Sequence, residues 1–63
     1  MKRSELLKFE GRSVRIKYKS GNWDHDRTGI IYAVGMNVIV FWPFEHDDEI
    51  KILLEDVSNV AYL

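Results

Sequence analysis

The 63-residue chain has room for one domain, near the lower size limit for a self-sufficient hydrophobic core. It contains no cysteine, which excludes disulfides and thiolate metal sites, and its 46% hydrophobic and 13% aromatic residues argue against disorder. No apolar run approaches the roughly 20 residues of a membrane helix. The basic start is interrupted before any signal-peptide apolar region. We therefore expect a cytoplasmic protein with no membrane partner.

The net charge of −1 conceals an uneven distribution along the chain. Residues 1–27 contain eight basic and four acidic residues and carry +4, whereas residues 28–63 contain one basic and six acidic residues and carry −5. Such a split gives a molecule with a basic and an acidic face, or one that packs head to tail. It differs from the strongly basic balance of most sequence-independent nucleic-acid binders and therefore favours a protein partner.

A short helix is predicted over residues 5–10. Ser4 is a suitable N-cap, because its hydroxyl can accept a hydrogen bond from a free amide of the first turn, and Glu5 suits the positive end of the helix dipole. Gly11 suits a left-handed C-cap. The helix is too short to be stable alone, so we expect its apolar side to lie on the core. That side consists of Leu6, Leu7 and Phe9.

The first strand is predicted at residues 13–19, because apolar and basic side chains alternate there with period two. Val14, Ile16 and Tyr18 point to one face, and Arg15, Lys17 and Lys19 point to the other. Ser20-Gly21-Asn22 ends the strand with turn-forming residues. The polar residues 22–27 are predicted to form a loop.

Four further strands are predicted at residues 28–34, 38–42, 49–54 and 59–63. The strand at 38–42 is almost entirely apolar, which is typical of a central strand covered on both faces. Pro43 cannot donate a ladder hydrogen bond and marks an end or an edge. Residues 45–48 form a charged loop, and residues 55–58 a tight helical turn. The inward side chains of the fourth strand are Ile50, Ile52 and Leu54.

This order of elements predicts an all-β fold, a small five-stranded antiparallel barrel over residues 13–63 with a short N-terminal helix, in a single domain over residues 1–63. Five short strands avoid exposed edges by curling into a partly closed barrel. The segment from Leu54 to Val60 is similar to the last segment of Src-homology-3-type barrels. The leading helix, and Met36-Asn37 before an apolar strand, resemble the Sm-like family of RNA-binding rings. The Arg-Gly or Lys-Gly pair of that family is missing near residues 56–58.

Two charged clusters contain the residue types used in metal or acid–base chemistry. They are Asp24-His25-Asp26 and His46-Asp47-Asp48-Glu49. Neither has a metal-ligand spacing, and neighbouring residues of an extended chain point in opposite directions. No serine stands in a nucleophile-elbow pattern. We therefore expect no metal, no cofactor and no catalytic residue.

The aromatic residues are the strongest candidates for partner contact. Trp23 lies among polar residues, where it serves as an interface anchor or as a cap on the barrel end. Alternation places Trp42 and Phe44 on one face, either in the core or on the surface. The partner-binding residues predicted from this pattern are Trp23, Arg27, Tyr18, Trp42 and Phe44.

The basic ladder of Arg15, Lys17 and Lys19 offers a second surface. With nearby aromatic residues it suits single-stranded nucleic acid, and it suits equally the acidic residues 45–49 of the same molecule or of a neighbour. The sequence as a whole predicts a non-catalytic module that acts by stoichiometric protein binding, such as an accessory or inhibitory factor of bacteria or their phages. Self-association is also open, and the alternative is an Sm-like RNA-binding oligomer.

Overall fold

Five strands form one antiparallel sheet in the computed structural model, which describes residues 1–63. The elements are α1 (Arg3–Leu6), β1 (Ser13–Ser20), β2 (Trp23–Val34), β3 (Val38–Pro43), β4 (Ile50–Leu53) and β5 (Val57–Tyr62). The strand order is β4-β3-β2-β1-β5. The prediction of a mainly β fold with five antiparallel strands and one short helix is confirmed. Because β4 and β5 do not pair with each other, the hydrogen-bonded sheet is not closed into a barrel.

The N-terminal helix differs from the prediction in its start and in its type. Lys2 is its N-cap and Ser4 lies inside it, while residues 7–9 form a 3₁₀ turn. The backbone amide of Lys2 donates to Glu5 Oε1 at 3.0 Å, so Glu5 completes a cap at Lys2, two residues before the predicted cap at Ser4. Gly11 adopts the expected positive φ of 77°.

The polar segment at residues 22–27 is a strand, and the prediction of a loop is wrong. β2 begins at Trp23, and Gly21 makes the two-residue turn with a φ of 61°. The register places Asp24 opposite Lys19 and Asp26 opposite Lys17. These cross-strand charge pairs stabilise the hairpin where it carries no apolar side chains on that face.

The core lies on one side of the sheet and beneath the N-terminal helix. Its 13 buried residues are Leu6, Phe9, Val14, Ile16, Tyr18, Ile31, Val34, Ile39, Phe41, Ile52, Leu54, Val57 and Val60. β3 alternates between buried and half-buried side chains along its whole length. The prediction that this strand is covered on both faces is therefore wrong, because this chain has no second layer to cover the other face.

The last third of the chain follows the prediction with shifted boundaries. β4 is shorter than predicted; Ile52 and Leu54 are buried, but Ile50 is only partly buried. A 3₁₀ turn at Leu54–Asp56 replaces the helical turn predicted at 55–58, and β5 starts two residues earlier than expected. None of the helices has the length and apolar character that a membrane crossing requires.

Gly29 marks a close approach between β2 and β3, where it pairs with Pro43. A Cβ at this position would lie 2.7 Å from Phe41 Cζ and 2.8 Å from the carbonyl carbon of Trp42, and closer still to that carbonyl oxygen. Three residues later the register of β2 shifts at Tyr32, which forms a bulge. Such a bulge bends a strand and increases its twist.

Candidate functional site

The side of the sheet that faces away from the core carries mainly apolar side chains over β2 and β3. The edge strand β4 adds Leu53 and the exposed Lys51, which lies opposite Val40. Side chains directly opposite each other in antiparallel strands share a face. Ile30 pairs with Trp42, and Val38 pairs with Leu53. We call this surface the outer apolar face and define it by Ile30, Tyr32, Val38, Val40, Trp42 and Leu53. The solvated face of an antiparallel sheet is normally polar, so this surface is unusual.

Trp42 is held in one orientation on the outer apolar face. Its indole Nε1 donates to the carbonyl oxygen of His46 at 2.9 Å. The edge of the ring meets Tyr32, with ring centroids 5.5 Å apart and an interplanar angle of 65°. Tyr32 remains 48% exposed, and Phe44, just beyond β3, is 54% exposed. The aromatic group is therefore fixed in place, yet still offers area to a partner.

The two ends of the outer apolar face carry opposite charge. The loop between β3 and β4 contributes the acidic side chains Glu45, Asp47, Asp48 and Glu49. At the other end, Arg3 Nε donates to the carbonyl oxygen of Gly35 at 3.1 Å. Lys2 and Arg3 there line a surface depression of about 420 Å³ together with Leu53 and Met36. Glu55 is the one carboxylate in the lining of that depression.

The basic ladder of β1 is matched by acidic residues of its own hairpin. Arg15 donates to Asp26 through two bonds, Nε to Oδ1 at 2.8 Å and Nη2 to Oδ2 at 2.6 Å. These bonds hold the pKa of Asp26 below its usual range and raise that of Arg15. Lys17 and Lys19 stand opposite Asp26 and Asp24. Within the molecule, the ion pair of the ladder is therefore with Asp26 of β2 and not with residues 45–49, and Lys17 and Lys19 form no ion pair.

The opposite face of the hairpin carries aromatic and cationic side chains. The Tyr18 ring is only 6% exposed and stacks on His25 at 4.9 Å. Burial raises the pKa of Tyr18, and the nearby charge of Arg27 opposes that rise. The Arg27 guanidinium contacts His46 of the β3–β4 loop. Trp23 is 76% exposed and therefore does not cap the core.

The eight residues predicted from the sequence do not form one surface. Trp42 and the ladder lie on the same outward side of the sheet, on β3 and β1, and Phe44 lies just beyond β3. Tyr18, Trp23 and Arg27 share the hairpin's inner side, and Tyr18 offers a partner little area because it is buried. The residues that sequence reasoning missed are Ile30, Tyr32, Val38, Val40 and Leu53. The signal that could have found them is the apolar character of both faces of residues 38–42.

The structure brings no group of three or more His, Asp or Glu side chains close enough to hold a metal ion. The ring of His46 meets Arg27, and His25 meets Tyr18, so each imidazole is already in contact with a side chain of its own fold. The sequence matches no protein-family model, no curated protein and no solved structure at a significant level.

Proposed function

We propose that this chain is a non-catalytic binding module that acts by stoichiometric protein–protein contact through the outer apolar face. One observation carries this proposal. The outward side chains of β3, Val38, Val40 and Trp42, are all apolar and only half-buried. A contiguous exposed apolar surface with charged groups at its ends is typical of a protein interface.

Trp42 has the features of an interface anchor. Tryptophan is enriched among the residues that dominate binding energy, and such residues lie near the centre of an interface. Its hydrogen bond to His46 and its contact with Tyr32 pre-orient the ring, so little conformational freedom would be lost on binding. Residues on each side of it complete a surface that excludes water.

We also propose that the domain is a small barrel of the Src-homology-3-type and Sm-like kind. The sheet order β4-β3-β2-β1-β5, the bulged β2 and the 3₁₀ turn before β5 support this proposal. The two edge strands would approach each other in such a barrel without a continuous hydrogen-bond ladder between them.

The proposed function is tested with the immobilised 63-residue chain as bait and its surface variants as controls. Leu53→Lys and Trp42→Lys should each abolish capture of a protein that the wild type retains, because each buries a charge in the contact. Trp23→Lys adds the same charge at a solvent-exposed site and should leave capture intact. Leu53 is 47% exposed on an edge strand, so its variant should fold even if the Trp42 variant does not. Equal capture by all four proteins would contradict the proposal.

Single-stranded RNA is the alternative partner, and the charge pairs of the hairpin count against it. Phosphate binding needs free cations, and the bond of Arg15 to Asp26 leaves only Lys17 and Lys19 of the ladder without an ion pair. An RNA complex that persists at physiological salt, weakens steeply as salt rises and survives Leu53→Lys would favour this alternative over the proposed function.

A further inference from the structure

We infer that the partner of the outer apolar face is a second copy of this chain, bound about a two-fold axis. The inference rests on the proposed function and names the occupant of the same surface. A two-fold interface joins one patch to an identical patch, so the patch must complement itself in charge as well as in shape.

The acidic end of the patch is fixed by the β3–β4 loop. The bond from Trp42 Nε1 to the His46 carbonyl ties this loop to the outer apolar face. Four of its six residues are acidic, and none is a lysine or arginine. Neither of its aspartates, nor either of its glutamates, forms an ion pair within the molecule. Four carboxylates therefore stand beside the apolar face without an ion pair, and one cation reaches their loop, Arg27, through its contact with His46.

The basic end lies at the start of β3. The amide of Gly35 donates to the carbonyl of Val38 at 2.8 Å, and the carbonyl of Gly35 accepts from Arg3. This places Arg3 at the end of β3 opposite to the acidic loop. Lys2 joins it in the depression lined by Leu53, and Glu55 offsets one of the two charges. The uneven charge of the sequence thus becomes a charge gradient along β3.

An antiparallel arrangement of two copies satisfies both ends at once. A two-fold axis that lies between the two sheets and runs perpendicular to β3 near Val40 lays the acidic end of each copy on the basic end of the other and brings the two apolar faces together. Lys51, opposite Val40 on the edge strand β4, would stand at the rim of this contact. A two-fold axis parallel to β3 would instead place like charges together, which is unfavourable by several kcal/mol in protein interfaces. The charge pattern therefore selects the axis perpendicular to β3 among the possible face-to-face contacts.

The surface area and the small core of the molecule are compatible with a second copy on the outer apolar face. A standard interface buries roughly 800 Å² on each partner, which is about a fifth of the 4328 Å² accessible surface of this chain. The hydrophobic core has only 13 residues, so a second sheet at the usual spacing of about 10 Å would add a second apolar layer. The extra burial would stabilise a chain near the lower size limit.

Sedimentation equilibrium of the 63-residue chain tests this inference, with a dimer of twice 7.4 kDa expected at micromolar concentration. One variant reverses the acidic end with Asp47→Lys and Asp48→Lys, and another reverses the basic end with Lys2→Glu and Arg3→Glu. Each variant alone should dimerise at least about tenfold more weakly. An equal mixture of the two variants should recover dimers, because both contacts then join opposite charges. Circular dichroism should show that both variants remain folded.

Fluorescence supplies an independent readout of which face is buried. In a Trp23→Phe background Trp42 is the remaining tryptophan, and its emission should shift to the red as the dimer is diluted into monomers. If the wild type is monomeric and captures another protein that the Leu53→Lys variant does not capture, the two-copy inference is overturned and the proposed function stands. If the wild type is monomeric and Leu53→Lys does not change which proteins are captured, both the two-copy inference and the proposed function are overturned. Species larger than a dimer would indicate pairing of the free edges of β4 and β5, and would also overturn the inference.

Discussion

Replacing Gly29 with alanine should destabilise the fold more than any other single methyl group added to the backbone. The new Cβ would lie at 2.7–2.8 Å from Phe41 Cζ and from the carbonyl carbon of Trp42. Non-bonded carbon atoms in proteins are normally about 3.5–4.0 Å apart, so β2 and β3 must separate. Overpacking alone costs about 1–3 kcal/mol, and each weakened ladder bond about 0.5–1.5 kcal/mol more. We expect a loss of about 3–4 kcal/mol.

A domain of this size has a total stability of about 3–9 kcal/mol, so Gly29→Ala should lose a large part of it. Urea unfolding followed by far-ultraviolet circular dichroism measures the change. Gly21→Ala is the matched control: nothing lies within 4 Å of its Cβ, and only the left-handed φ of 61° opposes the side chain. That control should lose about 1–2 kcal/mol. A Gly29→Ala loss equal to or below that of the control would refute the reasoning.

Three further predictions follow from the hairpin. Trp23→Ala should change the free energy of unfolding by no more than about 0.5 kcal/mol, and a larger loss in urea would place the ring in the core. Asp26→Asn should destabilise at neutral pH, and the gap from wild type should close as the pH falls from 3.8 through the lowered pKa of Asp26; a pH-independent gap would contradict this. Tyr18→Phe should not show the extra loss of stability that wild type shows above pH 10.0, because burial raises the pKa of Tyr18 and disfavours its ionised form.

The sequence predicts an element well where one face of it meets the core and the other meets water. β1 is the clearest case, because buried apolar residues and exposed polar residues alternate along it. The outer half of the hairpin extends past the core, so Asp24 and Asp26 gave no apolar period and were interpreted as a loop. The available signal was the Gly21-Asn22 pair, which suits a two-residue turn, together with opposite charges at equal distances on each side of it.

The outer apolar face was hidden for a different reason. The composition of residues 38–42 correctly indicated a strand that is apolar on both sides, and β3 does lie inside the sheet. The prediction of a strand covered on both faces also requires that elements of this same chain pack against both faces of β3. Sixty-three residues provide one core and one short helix, and that helix packs on the side of Ile39 and Phe41. Sequence pattern reports what a surface prefers to contact, but not which molecule provides the contact.

The strand order also has a consequence for how the chain folds. Three of the four strand pairings join consecutive strands, and only the pairing of β1 with β5 brings distant segments together, Val14 with Tyr62 among them. Local pairings form quickly, whereas distant ones must first overcome a larger loop-closure entropy. We therefore expect β5 to dock last and to detach first, which leaves the edge of β1 open for a time. Charged side chains, lysine above all, discourage an open edge from pairing with another chain. The basic ladder of β1 would thus reduce aggregation of the partly folded chain through the charges of Arg15, Lys17 and Lys19.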